Sequence, residues 1–243
     1  MDLHTEIKEW IKDYCKTSNI QQLVVGVSGG IDSAVVSTLC ALTGIPTLTL
    51  VMPIRQKQEQ TDLAVDHCLW LGEHYMNASF EMIDLTPVFE KFEDLFQFPK
   101  NELALANSRA RLRMMTLYQK AQTFGGIVVG TGNKVEDFGV GFYTKYGDGG
   151  VEVWDLGKEL GIDQRIIDAE PTDGLWEDGR VDADQLNGLT YPELEWCMKN
   201  IDASIDSMTE QEMDNIELYK IIRSKNLHKM NPIPVFKKNL GDA

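Results

Sequence analysis

The chain has 243 residues, 43% of them hydrophobic, with 38 acidic against 23 basic side chains and a net charge of −15. That length predicts one large domain or one domain with a helical appendage, and the apolar content is ample for a core. So acidic a chain is a poor partner for tRNA or DNA, where basic groups supply most of the affinity, and no apolar run approaches a membrane span. The start, Met1-Asp2-Leu3-His4-Thr5-Glu6, lacks a basic flank ahead of an apolar stretch and predicts no signal peptide. Cys15, Cys40, Cys68 and Cys197 are scattered without a Cys-x-x-Cys pair. Inert core thiols in a reduced cytoplasm are expected.

Leu3, Ile7, Trp10, Ile11 and Tyr14 recur at helical spacing and predict an amphipathic helix within residues 1–20. Gln22–Val27 reads as the first strand and Ile31–Leu42 as the helix after it. Gly44-Ile45-Pro46 breaks the chain before a strand over Thr47–Met52. A helix from about Lys57 to Leu71 and a short strand near Phe80–Ile83 follow. The long pattern from Asn101 to Thr123 is one helix, ended by Gly125-Gly126, and Ile127–Thr131 is the next strand. Strands alternating with helices imply right-handed crossovers, so residues 21–150 are expected to form a doubly wound, mostly parallel α/β sheet flanked by helices. Residues 151–243 read as mainly helical, with helices over Glu152–Gly161, Tyr191–Asn200 and Thr209–Lys225. There is no internal repeat and no sharp linker, so residues 1–243 are read as one domain.

Ligands of parallel sheets gather at the carboxyl ends of the strands. Ser28-Gly29-Gly30, Met52-Pro53 and Thr131-Gly132-Asn133 all fall there. In the first of these, Gly29 and Gly30 are expected to adopt backbone conformations barred to other residues, turning successive N–H groups into one concavity. The N-terminus of the following helix adds partial positive charge, and Ser28 and Ser33 can donate to phosphate oxygens. Asp32 would repel phosphate, so its presence calls for a divalent cation between them. A Walker-type loop is excluded because no Lys lies between Gly26 and Ser33, and the glycine spacing does not fit a dinucleotide fingerprint.

The segment Ser28-Gly29-Gly30-Ile31-Asp32-Ser33 resembles the signature of the ATP pyrophosphatase superfamily, with its adenine nucleotide alpha hydrolase-like fold. Those enzymes cleave ATP between the α- and β-phosphates and activate an acceptor as its adenylate. Three stretches follow in order: Gly130–Glu136, Phe142–Gly150 and Glu170–Trp176. With His228-Lys229-Met230-Asn231-Pro232 near the end, they extend the resemblance over nearly the whole chain to ammonia-dependent NAD synthetase. The resemblance implies that the nicotinate carboxylate of deamido-NAD attacks the α-phosphorus of ATP, and that ammonia then displaces AMP to give NAD. It implies a phosphate loop over Gly26, Val27, Ser28, Gly29, Gly30, Ile31, Asp32 and Ser33, with ATP contacts at Thr131 and Thr172. Asp32 and Glu136 match the Mg²⁺ positions and, with Lys145, the catalytic set. Arg111, Lys145, His228 and Lys229 match deamido-NAD contacts. A homodimer with deamido-NAD at the subunit interface is implied too. Arg109, Arg111 and Arg113 alternate along one helix, so only one or two can face the site; distance from the following Gly-Thr selects Arg111. His4, His67 and His74 lack cluster spacing and receive no role.

The chain departs from the family pattern after Gly149-Gly150. The family continues with an Asp for deamido-NAD, a Pro-containing loop and a Lys for ATP; here Val151 leads directly into Glu152–Gly161. Neither Glu152 nor Lys158 is reassigned to those roles. Two other readings remain at this stage: another adenylating enzyme, GMP-synthetase-like or tRNA-thiolating, and an ATP-binding module without catalysis. No separate glutaminase domain fits in this length.

Overall fold

The computed structural model describes residues 2–96, 101–133, 135–141, 143–144, 154–169, 171–172, 175, 182–203 and 208–231. Its central strand, β1 (Gln22–Gly26), carries three wholly buried side chains, Leu23, Val24 and Val25. Successive strand residues point to opposite faces, so each face of the sheet needs its own cover. Leu23 and Val25 pack with Ala34, Val35 and Leu39 of α2 (Ile31–Leu42) and with Ile11 of α1 (Leu3–Thr17). Val24 packs on the other side with Phe89 of α4 (Thr86–Glu93) and Leu117 of α5 (Glu102–Thr123).

β2 (Thr47–Val51), β3 (Ala78–Met82) and β4 (Gly126–Val128) complete a parallel sheet of order β3-β2-β1-β4. Val24 is in register with Leu48 on one side and Val128 on the other. The chain winds outward from β1 to β3, through α3 (Gln58–His74), and returns through α5 to the opposite side of β1. The direction of winding therefore reverses between β1 and β4. Such a switch point opens a crevice where the two connections part.

β4 is shorter than the sequence implies, although Val129 still donates to Val24 O at 2.9 Å before the chain turns into the crevice rim. The sequence reading missed α4, whose buried contribution is the single ring of Phe89 and whose first turn holds Pro87. α5 begins where its cap places it: Asn101 Oδ1 accepts from Ala104 N at 2.9 Å.

Beyond the sheet, a π-helix (Val135–Val140) packs with α9 (Tyr191–Asn200) and α10 (Glu210–Met230) around Leu194, Cys197, Ile216 and Tyr219. Two short helices, α6 (Trp154–Glu159) and α7 (Gln164–Ile167), pack instead on α2, and a third, α8 (Asp182–Gln185), leads to Leu186 of the π-helix cluster. All four cysteines are free and buried, and no described helix is long and apolar enough to cross a membrane.

Candidate active site

A cavity of about 490 Å³ opens at the β1/β4 switch point. Its floor is the turn Gly26–Ser33, whose shape follows from its own hydrogen bonds. Ser33 Oγ donates to Gly30 O at 2.9 Å and accepts from Ser28 N at 3.1 Å. With the Ser33 proton so committed, the 3.1 Å contact between the two hydroxyls requires Ser28 Oγ to donate. Ser28 Oγ then accepts from Gly30 N at 3.2 Å. Ser33 lines the cavity and is at the same time a strut within the turn.

The glycines differ. Gly29 has φ +89°, and a Cβ there would lie 2.5 Å from Gln60 O of α3, so no other residue fits. Gly30 is ordinary extended backbone, and a Cβ there would meet only Ser28 Oγ at 3.4 Å. The expectation of a special conformation at both is corrected to Gly29 alone. The first intrahelical bond of α2 is Ala34 N to Gly30 O at 3.2 Å, which puts the positive end of the helix at the turn.

Opposite the turn stands an acidic corner. Asn133 is buried ahead of the π-helix and caps it twice: its Oδ1 accepts from Glu136 N at 3.0 Å and its O from Asp137 N at 2.9 Å. Asp32, Glu136, Asp137 and Asp182 all line the cavity. Burial pushes the Glu136 carboxyl well above its ordinary range; the Tyr191 hydrogen bond opposes this, and the charges of Asp32, Asp182 and Asp137 reinforce it. Tyr191 donates to Glu136 and lies 2.9 Å from Asp182 Oδ2, and burial with these two acids raises its phenol. Hard oxygen donors lining one cavity, with the mutual repulsion felt at Glu136, suit Mg²⁺, which binds carboxylates together with phosphate oxygens.

The remaining expected residues divide. Val27, Ile31, Thr131, Thr172 and Lys229 line the cavity; Arg111 and His228 do not. Residues two apart on a helix point nearly opposite ways and residues four apart share a face. Arg109 and Arg113 accordingly turn inward while Arg111 is exposed on the other face of the helix. Arg113 lines the cavity and donates from Nε to Met52 O at 3.0 Å. Arg109, 2% exposed, lies over the Phe89 ring at 4.7 Å and donates to Leu175 O at 2.6 Å, a strut for the segment that carries Thr172. Lys229 Nζ donates to Gly141 O and Tyr143 O at 3.1 Å each, and burial lowers its pKa. His228 Nδ1 lies 3.1 Å from Lys225 O on the outer face of α10. Lys145 lies outside the described residues.

Sequence reasoning missed Arg113, Asp137, Asp182 and Tyr191. Thr190-Tyr191-Pro192-Glu193 carries the signal of a helix start and nothing more, and Asp182 sits in a short acidic run like many surface segments.

A protein-family model described as NAD synthase matches residues 3–233. An NH(3)-dependent NAD(+) synthetase of Finegoldia magna is 32% identical over 225 residues, covering 87% of this chain and 90% of that protein. One from Alkaliphilus metalliredigens is 38% identical over 200 residues, covering 75% and 79%. Among solved structures, an NMN synthetase from Francisella tularensis superposes with a TM-score of 0.80 at 29% identity, covering 98% of this chain and 97% of its own.

Proposed function

The chain belongs to the NAD synthase family, and from that premise we propose that it is a ligase that amidates deamido-NAD with ammonia, using ATP and Mg²⁺. The observation that carries this reading is the meeting, in one cavity, of the Gly26–Ser33 turn with Asp32 and Glu136. The turn supplies N–H donors and a helix N-terminus to the triphosphate, while Asp32 and Glu136 would hold the cation that screens it. Bound Mg²⁺ would neutralise charge on ATP so that a carboxylate can approach the α-phosphorus. The nicotinate carboxylate displaces pyrophosphate to give an adenylate, and ammonia then attacks the activated carbonyl and releases AMP.

Among the described residues only Arg113 and Lys229 bring full positive charge to the cavity lining. Gly150 and Val151 are consecutive, so the family segment bearing the ATP lysine is missing from this chain. Positive charge on the phosphates falls correspondingly more on the cation and on main-chain dipoles. The reaction is tested by NAD formation from deamido-NAD, ATP, Mg²⁺ and ammonium. Asp32→Ala is expected to reduce it by about a thousandfold; unchanged turnover in that variant overturns the cation assignment.

A second acceptor, the single-nucleotide nicotinate compound whose amide is NMN, is favoured by the likeness to the NMN synthetase. Equimolar acceptors in competition separate the two readings by the ratio of NAD to NMN formed. A homodimer completes the proposal. Arg111, Met115 and Tyr118 follow one another at helical spacing on the exposed face of α5, and the latter two are 63% and 55% exposed. An apolar face of this kind suits a second copy, and Arg111 would then meet deamido-NAD across the subunit boundary. Sedimentation of the wild type should give a dimer, and Met115→Lys a monomer. A reducing cytoplasm fits the four buried, unpaired thiols.

A further inference from the structure

Tyr191 is the first residue of α9, and its backbone is fixed by a reciprocal cap in which Glu193 Oε2 accepts from Thr190 N at 2.9 Å and from Thr190 Oγ1 at 2.7 Å. From that anchored position its hydroxyl reaches two acids on different elements: Glu136 of the π-helix, to which it donates, and Asp182 of α8, at 2.9 Å. Asp182 is itself held, being 5% exposed, with its N donating to Pro171 O at 3.1 Å. A phenol has one proton and two lone pairs, so it serves the two carboxylates unequally and fixes the orientation of whichever it donates to. A carboxylate gripped at one oxygen cannot turn about its last side-chain bond, and preset orientation is what a small, geometrically demanding cation requires.

We propose that Tyr191, anchored at the start of α9, is a positioning residue that orients the Glu136 carboxylate and so sets the affinity of the nucleotide site for its divalent cation. This rests on the reading above that Glu136 helps to hold that cation. Tyr191 acts through Glu136, which distinguishes it from a residue that merely stabilises the fold. A packing residue lost from α9 would weaken cation binding whether or not Glu136 were present.

The test is Mn²⁺ binding in the presence of a non-cleavable α,β-methylene ATP analogue, read from the electron paramagnetic resonance of free Mn²⁺. It compares wild type, Tyr191→Phe, Glu136→Gln and the double variant. Outer-shell partners of metal ligands are commonly worth ten- to a hundredfold in affinity, so Tyr191→Phe is expected to weaken Mn²⁺ by about tenfold. In the Glu136→Gln background the same change should matter by less than about twofold, because the group it orients is gone. Equal affinity for wild type and Tyr191→Phe, or an undiminished loss in the double variant, overturns the proposal. If Glu136→Gln itself leaves Mn²⁺ binding unchanged, the underlying cation assignment fails instead.

Discussion

The cavity has two walls built on different principles. Once Val27 N has paired with Leu50 O of β2, the turn from Ser28 to Ser33 holds its form with hydrogen bonds between residues no more than five apart. The acidic corner opposite is assembled from afar: Tyr191 reaches Glu136 across 55 residues, Tyr219 reaches Gly139 across 80, and Lys229 reaches Gly141 across 88. Closing long loops costs entropy that only tertiary packing returns, and the cluster of Val135, Leu194, Cys197, Ile216 and Tyr219 supplies that packing. The wall formed by the turn is thus encoded mainly locally and the acidic wall globally. Perturbations of the two should differ in kind.

The largest expected effect tests the local wall. Gly29→Ala introduces a methyl group 2.5 Å from Gln60 O at a φ of +89°. Backbone strain and overpacking of this sort together cost about 4 kcal/mol, so ATP binding measured by calorimetry should fall by roughly a thousandfold. Gly30→Ala, with ordinary backbone and a 3.4 Å neighbour, should change it less than about threefold. Equal losses in both variants would mean that the turn is not set by the Gly29 approach to α3.

A smaller effect concerns how the local wall is braced from behind. Ser37 Oγ donates to Ser33 O at 2.7 Å and lies 3.0 Å from His67 Nε2 of α3, so that nitrogen must carry the hydrogen. Burial lowers the His67 pKa to about 4, against a backbone hydrogen bond to Ala34 and the charge of Asp163. An unfolded histidine takes up a proton near pH 6.5, whereas the folded one resists until about pH 4. Between those values the unfolded chain binds more protons, so stability is complete above pH 6.5 and falls as pH drops through the window, by about 3 kcal/mol in all. Urea unfolding from pH 7 to 4 should show this slope, and His67→Gln should flatten it. An unchanged slope in the variant would assign the acid sensitivity elsewhere.

The same contrast explains what could be read from the sequence. The turn, its strand and α2 carry their own instructions: a β-branched run, Gly29, and an Asp and Ser opening the helix. The order of strands and helices followed from alternation, and the rim from strand ends. The acidic corner carries few such signs. Glu136 was reached only through resemblance, because Val135–Val140 is a π-helix and neither a 3.6- nor a 2-residue period marks it. Tyr191 reads locally as a helix start, and its bond to Glu136 exists only once α9 has packed on the π-helix. Spacing along the chain points to Arg111 and says nothing of rotation about the helix, which brings Arg113 to the cavity as well. His228 and Lys229 were expected as a pair, yet neighbours on a helix are a hundred degrees apart and only Lys229 turns inward.

The smallest effect separates the walls most cleanly. Tyr219, 1% exposed, donates to Gly139 O at 3.0 Å near the end of the π-helix, and Arg223 of the same helix donates to that carbonyl as well. Tyr219→Phe removes one donor while leaving the carbonyl served, so the loss should be about 1 kcal/mol, a drop of roughly 2–4 °C in Tm for a chain of this size. Because the bond anchors the element carrying Glu136, the variant should need about twofold more Mg²⁺ for half-maximal activity, a modest loss of site order. ATP affinity measured in chelator should stay at the wild-type value, since Ser28, Gly30 and Ser33 shape the turn through bonds to one another. If chelated ATP binding falls along with Mg²⁺ affinity, the two walls are one cooperative unit and the contrast between them is lost.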